Sequence, residues 1–366
     1  MIDGPAVTVA EFETPALLLD LDIMEANLAS TAARLRERGI ALRPHAKTHK
    51  SAEVARRQLD HGAAGLTVAT IGEAEVFARH GFTGLFIAYP VFATGTKAAR
   101  LAELARRVKL RIGVESVAGA QALAGALAGA NGPAPAEVLI EIDSGQHRTG
   151  MQPAAAGELA AACRSLGLDV AGVFTHGGHG YASPGSGPGA AADEDAALWS
   201  AAKQLTGAGF DVREVSAGST PTAAFAGSHI TEERPGTYVF NDRQQLVLGS
   251  CQPGQIAVTV AATVVSTTVS GQAVIDAGSK ALASDRPAWL TGHGAVPDLG
   301  GAVVMALSEH HGLVDLAGHS APAVGTVVTV IPNHICTAVN LFDRYTLVRS
   351  GQPAGTWPIE ARGHLS

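Results

Sequence analysis

The chain has 366 residues, a formal net charge of −7 and 46% hydrophobic residues. That length accommodates a large barrel plus a smaller domain. The acidic balance and the lack of a long basic run exclude nucleic acid and membrane surface as expected partners, and no apolar stretch reaches membrane-spanning length.

Met1 to Glu13 has neither a basic leading region nor an apolar core, so no signal peptide is expected and the location is read as cytoplasmic. The cysteines are Cys163, Cys251 and Cys336, an odd number at wide spacing, which is not a disulfide framework. Ala16 to Asp22 reads as a strand and Ile23 to Arg38 as an amphipathic helix. Apolar runs then recur at Ile40–Leu42, Gly65–Ala69, Gly84–Ala88, Leu110–Val114, Val138–Ile142, Val170–Thr175, Val212–Ser216 and Thr237–Phe240. Helix-competent, Ala-rich segments separate most of them, such as Gly72–His80, Thr96–Arg107, Ala154–Leu166 and Ala190–Ala208. Buried strands alternating with helices predict a parallel (β/α)8 barrel, with a doubly wound open sheet as the alternative. The first strand carries no GxGxxG, which counts against a dinucleotide fold.

Beyond about Asn241 the pattern turns to β-rich segments: Ile256–Ser266, Gln272–Asp276, Val303–Leu307, Val327–Ile331 and Arg344–Val348. These predict a second, mostly antiparallel β domain. The expected division is residues 23–241 for the barrel, and 1–22 with 242–366 for the β domain.

Residues just after barrel strands carry function in this architecture. Arg43-Pro44-His45-Ala46-Lys47-Thr48-His49-Lys50 follows the first barrel run. It is either a solvated basic turn or the place where one lysine, its pKa lowered by neighbouring cations, carries a carbonyl cofactor. The fifth run leads to Asp143–Gly150 with Arg148, which serves either as an ion-pair partner or as the ligand of a phenolate oxygen. The sixth leads to His176, His179 and Tyr181, and the seventh to Ser216-Ala217-Gly218-Ser219-Thr220-Pro221-Thr222. That small-residue loop beside an expected helix start suits a phosphate, although an ordinary N-cap has the same composition. Arg234, Gly236 and Tyr238 stand around the eighth run. In the β domain, Pro332-Asn333-His334-Ile335-Cys336 places an imidazole and a thiol two apart, on one face if the segment is a strand. That donor pair suits zinc, with water or another residue completing the shell; a core histidine beside a buried cysteine is the alternative.

From TPALLLDLD to PNHICTAVNLFD, these motifs together resemble the fold-type III pyridoxal-phosphate enzymes, and within them the D-serine dehydratase and D-threonine aldolase family, relatives of alanine racemase. The resemblance implies an alanine racemase-type barrel with a β domain, pyridoxal 5'-phosphate, a homodimer and small D-3-hydroxy amino acid substrates. It maps RPHAKTHKS onto the cofactor lysine, Lys47, and DSGQHRTG onto an arginine at the cofactor's phenolate, Arg148. THGGHGY gives His176 at the pyridine ring, His179 as a base near the β-hydroxyl, and Tyr181. SAGSTPT and RPGTY give the phosphate-binding residues Ser216, Gly218, Ser219, Thr220, Gly236 and Tyr238, with Arg234 facing the pyridine nitrogen in the racemases. His-x-Cys at His334 and Cys336 accompanies the zinc-type dehydratases, so the expectation is dehydration to a 2-oxo acid and ammonia. Retro-aldol cleavage to glycine and an aldehyde is the alternative. A racemase, or a non-catalytic cofactor-binding barrel, fits less well, because the first lacks such a metal pair and the second lacks the β domain.

Overall fold

The structure, a computed structural model, describes residues 13–128, 130 and 136–366. Residues 1–12, joined above to the β domain, lie outside the described residues. The chain divides into two compact units: Met1–Ser30 with Thr48–Glu53 and Thr237–Gly363, and Thr31–Lys47 with Val54–Gly236 and His364–Ser366. Strand β1 (Ala16–Asp20) and helix α1 (Leu21–Glu37) open the described chain, and the division falls inside α1.

The second unit is a parallel barrel. Its strands are β2 (Ala41–Leu42), β3 (Leu66–Val68), β4 (Gly84–Pro90), β5 (Lys109–Val114), β6 (Glu137–Glu141), β7 (Asp169–Phe174), β8 (Glu214–Ala217) and β9 (Glu232–Glu233). Their order is β2-β9-β8-β7-β6-β5-β4-β3, and a parallel bridge between His45 and Thr67 closes the ring. Helices α2 (Ala52–Asp60), α3 (Ile71–Arg79), α4 (Gly95–Arg107), α5 (Val117–Leu127), α6 (Ala156–Ser165) and α7 (Gly187–Gly207) alternate with the strands. Local chemistry sets several starts: Thr70 accepts from the Glu73 N–H at 3.0 Å and Ser116 from the Gly119 N–H at 3.1 Å, each satisfying an orphan donor. Inside the ring Phe86, Leu139 and Phe174 form a cluster, with the Phe86 and Phe174 rings edge to face at 5.1 Å. Gly113 makes room for it, since a Cβ there would lie 2.6 Å from the Phe174 ring.

The other unit is a nine-stranded sheet, with α8 (Arg243–Leu248) leading into it. Its strands are β1, β10 (Val258–Ser266), β11 (Gln272–Ile275), β12 (Gly294–Val296), β13 (Ala302–Leu307), β14 (Gly312–Asp315), β15 (Val327–Pro332), β16 (Arg344–Arg349) and β17 (Gln352–Pro358). Short helices α9 (Ser279–Leu282) and α10 (Ile335–Val339) interrupt it. The order is β11-β14-β13-β12-β15-β10-β1-β16-β17, with β10 also pairing β11, so six strands close on themselves and three extend the sheet. All pairs are antiparallel except β1 with β16. Leu17, Leu18 and Leu19 of β1 are buried, as befits a strand flanked on both edges.

The barrel and its antiparallel companion match the sequence expectation, but three segments differ. Thr237–Phe240 is not the eighth strand: Thr237–Val239 is a single 3-10 turn, and Glu232–Glu233 takes the eighth place. The apolar run is buried after Pro235 and Gly236 break the strand. The true strand escapes a hydrophobicity search because its acidic side chains are buried, Glu232 being paired with Arg43 at 2.6 Å and Arg111 at 3.4 Å. His334 and Cys336 do not lie on a strand either, because His334 caps the one-turn-plus helix α10. The loop from Ser216 to Thr222 runs into one 3-10 turn, Ala223–Phe225, rather than the expected helix.

Candidate active site

Lys47 stands at the turn where β2 ends, half-buried, two residues past the bridge that closes the ring. The basic cluster predicted around it is dispersed by tertiary partners. Arg43 is committed to Glu232, and Lys50 reaches the Ala361 carbonyl at 3.5 Å from a left-handed backbone at φ 51°. Arg43 and Lys50 therefore have structural work, and Lys47 is the lysine held at the strand end.

A different set of cations meets there. The His176 imidazole is pushed down to about 3, first by burial and then by the charges of Lys47, Arg148 and Arg234. It is consequently a neutral ring among three cations, with Nδ1 facing the Gly218 carbonyl at 3.4 Å. Arg148 and His176 line one cavity with Asp143 and Thr175. The Arg148 loop is pinned by its own strand: the Met151 N–H bonds Glu141 at 2.9 Å and the Asp143 N–H bonds Met151 at 3.0 Å. Burial would raise the Asp143 carboxyl, yet hydrogen bonds from Gly145 and His147 hold it below its usual value. Arg234 is buried between the faces of Phe86 and Phe174, 5.6 and 5.3 Å from their centroids. It donates to the Ser216 hydroxyl at 2.5 Å and to the Thr175 carbonyl. Ser216 in turn donates to Glu232 at 2.7 Å, so its hydroxyl is engaged inside the barrel.

The Gly218 loop is organised by acids that sequence reading missed. Glu194 of α7 accepts the N–H groups of Gly177 at 2.6 Å and Gly218 at 3.0 Å. The Ser219 N–H goes to Thr222 Oγ1 at 2.9 Å. Two of the N–H groups expected to meet a phosphate are thus spent within the protein. Gly218 contributes space instead: at φ 108°, a Cβ would run into the Glu233 carboxylate and sit 3.1 Å from the Arg234 nitrogen. Ser219, Thr220 and Gly236 are all buried at adjoining strand ends. Burial raises the Glu233 carboxyl well above its ordinary value, and the neighbouring Glu194 charge raises it further. With three donors on Glu194 and no hydrogen-bond partner on either Glu233 oxygen, Glu233 is the member of the pair that keeps the proton. His179 lies on the 3-10 turn Gly178–Tyr181 together with half-buried Tyr181. Its Nε2 faces Asp193 at 3.1 Å, while its Nδ1 is buried with no hydrogen-bond partner.

In the β unit, His334 and Cys336 hydrogen-bond each other, and the Cys336 sulfur lies 3.2 Å from the Thr48 hydroxyl. His334 Nδ1 lies 3.2 Å from Asp242. Burial works against the His334 cation, yet Cys336 and Asp242 lift it well above its usual value. Tyr238 is buried on the turn Thr237–Val239 of this unit. Among the described residues no group of three or more His, Cys, Asp or Glu side chains is arranged to hold an ion. The donor set therefore fits only an open site, with one imidazole, one thiolate and the remaining positions left to water or substrate. Asp242 was partly visible beforehand, as an Asp preceding the helix-forming Arg243-Gln244-Gln245, but its contact with a residue 92 positions away has no local signal.

A parallel barrel with its lysine after the first strand, followed in the chain by a mostly antiparallel unit, is the architecture of fold-type III pyridoxal-phosphate enzymes. Residues 19–244 match the alanine racemase N-terminal domain and residues 257–348 the putative serine dehydratase domain. The chain belongs to the alanine racemase N-terminal domain family, in the branch that carries a serine dehydratase domain, and pyridoxal phosphate is the cofactor expected of it. It is 36% identical to the D-threo-3-hydroxyaspartate dehydratase of Delftia sp. (strain HT23), over 96% of this chain and 98% of that one. It is 32% identical to a D-threonine aldolase of Arthrobacter sp, over 98% of this chain and 95% of that one. Among solved structures, a cysteine-to-alanine variant of D-threo-3-hydroxyaspartate dehydratase in the metal-free form superposes with a TM-score of 0.87, at 34% identity, covering 96% of this chain and 98% of that one.

Proposed function

We propose that this chain is a pyridoxal-phosphate-dependent lyase that dehydrates small D-3-hydroxy amino acids, in the manner of D-serine or D-threo-3-hydroxyaspartate, to a 2-oxo acid and ammonia. The observation that carries the choice of dehydration is the meeting of His334 and Cys336, a donor pair suited to zinc, with a hydroxyl on the sulfur. The Delftia relative, a dehydratase by name, supports the same choice. Bound pyridoxal phosphate withdraws electrons from the bonds of the substrate's Cα. Lys47 Nζ would hold the cofactor and, once released by the substrate amine, would take the Cα proton; Arg148 would hold the phenolate, and neutral His176 adds no charge beside the ring. Ser219, Thr220, Gly236 and Tyr238 hold the phosphate, with Gly218 keeping the approach open and Ser216 bracing Arg234. His334 and Cys336 would hold a divalent ion, whose Lewis acidity would ease departure of the β-hydroxyl.

One observation favours retro-aldol cleavage as a second reading: the His179 Nδ1 is buried, without a partner and suited to take the proton of a β-hydroxyl. The Arthrobacter relative is an aldolase by name. A homodimer and a cytoplasmic location complete the proposal. The test is incubation of the purified enzyme with D-threo-3-hydroxyaspartate, D-serine and D-threonine, measuring 2-oxo acid with ammonia separately from glycine with aldehyde. The first pair should predominate and disappear on chelation, while cofactor absorbance persists. Glycine and aldehyde alone would replace the dehydratase with the aldolase, and full activity of Cys336→Ala would remove the metal.

A further inference from the structure

Asp242 is fully buried, and among the described residues it pairs with no lysine or arginine. Its Oδ1 accepts the Gln245 N–H at 2.8 Å, which caps α8. Its Oδ2 accepts the Ile335 N–H at 3.0 Å and faces His334 Nδ1 at 3.2 Å. One carboxylate oxygen therefore holds both the ring of His334 and the peptide between His334 and Cys336. Capping does not explain a charge at this place, because asparagine caps a helix as well as aspartate. A buried carboxylate is costly unless paired, and the His334 ring is the basic group it faces. With that ring serving a metal as a neutral ligand, a divalent ion would supply the charge that Asp242 and a Cys336 thiolate need.

We propose that Asp242 is a positioning residue for a divalent ion held by His334 and Cys336. By accepting from Nδ1–H it fixes the tautomer of His334 and leaves Nε2 as the ligand nitrogen. Histidine ligands characteristically donate their other N–H to a carboxylate, which orients the ring and raises its basicity. The inference rests on the metal reading above and adds to it a residue that touches neither substrate nor ion.

The test is zinc affinity, measured by competition with a chromophoric chelator on cofactor-loaded, metal-stripped enzyme. Wild type, Asp242→Asn, His334→Ala and the double variant are compared, with thermal melts of each metal-free form. Asp242→Asn keeps the cap and removes the charge, and it should weaken zinc by about 10- to 100-fold. On the His334→Ala background the same change should add less than about twofold, because its effect passes through the ring. An equal loss on both backgrounds, or a wild-type affinity in Asp242→Asn, would overturn the proposal. Should Asp242→Asn fail to fold, cadmium-loaded wild type with nitrogen-labelled histidine decides: scalar coupling of the metal to Nε2 of His334 supports the role, and coupling to Nδ1 ends it. Wild type that binds no zinc would defeat the metal reading itself, a result distinguishable from tight wild-type binding with an unaffected Asp242→Asn.

Discussion

Two lysines three residues apart offer themselves to a carbonyl cofactor, and their surroundings separate them. Lys50 reaches a backbone carbonyl from a strained, left-handed position, whereas Lys47 stands at the strand end among the charges that surround His176. Borohydride reduction of the cofactor-loaded protein should place the pyridoxyl group on Lys47, as read by peptide mapping, and Lys47→Ala should lower turnover by at least about 100-fold. A label on Lys50 would reverse the assignment. Glu233 makes a second residue-scale prediction. Its carboxyl is raised, so the fold holds it neutral. The stability this contributes is complete below about pH 4.5 and is lost as pH rises through the folded value. Glu233→Gln lacks that slope. Its melting temperature relative to wild type should therefore climb between about pH 5 and about pH 8. A constant difference across that range would mean that Glu233 is ionised in the native protein.

At the scale of elements, the loop after β8 joins two requirements in one glycine. Gly218 has positive φ, and its missing Cβ leaves room for the Glu233 carboxylate. Gly218→Ala should cost about 1–3 kcal/mol from backbone strain, measured as denaturant stability of the cofactor-free protein, and should also weaken pyridoxal phosphate binding. Unchanged stability would show that the backbone can relax away from Glu233. Helix α10 teaches a related lesson. Two side chains two positions apart meet across a helix cap, where Asp242 lies beside the ring and Thr48 beside the sulfur.

At the scale of the molecule, β1 is an interior strand of its sheet, between β10 and β16, although more than 200 residues separate it from either. The three leucines it buries make it a keystone of that unit. Leu19→Ala, at 0% exposure, should cost about 2–5 kcal/mol in chemical denaturation. Loss of under about 1 kcal/mol would mean that the surrounding strands close the cavity. Tyr345 binds the same unit from another side, donating its buried hydroxyl to the His49 carbonyl at 2.6 Å. This ties the segment beyond Lys47 to β16.

Burial periodicity is a local property, so the alternation of strands and helices, the second β-rich unit and the residues after each strand were legible in the chain. The lysine turn and His334-Ile335-Cys336 each bring their residues together in adjacent positions, so a role for them could be proposed from the chain. Other features depended on where distant segments return. Glu232–Glu233 could be a barrel strand only once Arg43 and Arg111 were present to pair with Glu232. Arg43 left the cationic cluster for the same reason. Strands β12, β14 and β17 are short or polar, and they exist because a neighbour offers an edge to pair with. Glu194 carries no sequence mark of its role and Asp242 none beyond that of a helix cap, since what distinguishes a buried carboxylate from a solvated one is the set of N–H groups and rings that folding brings to it.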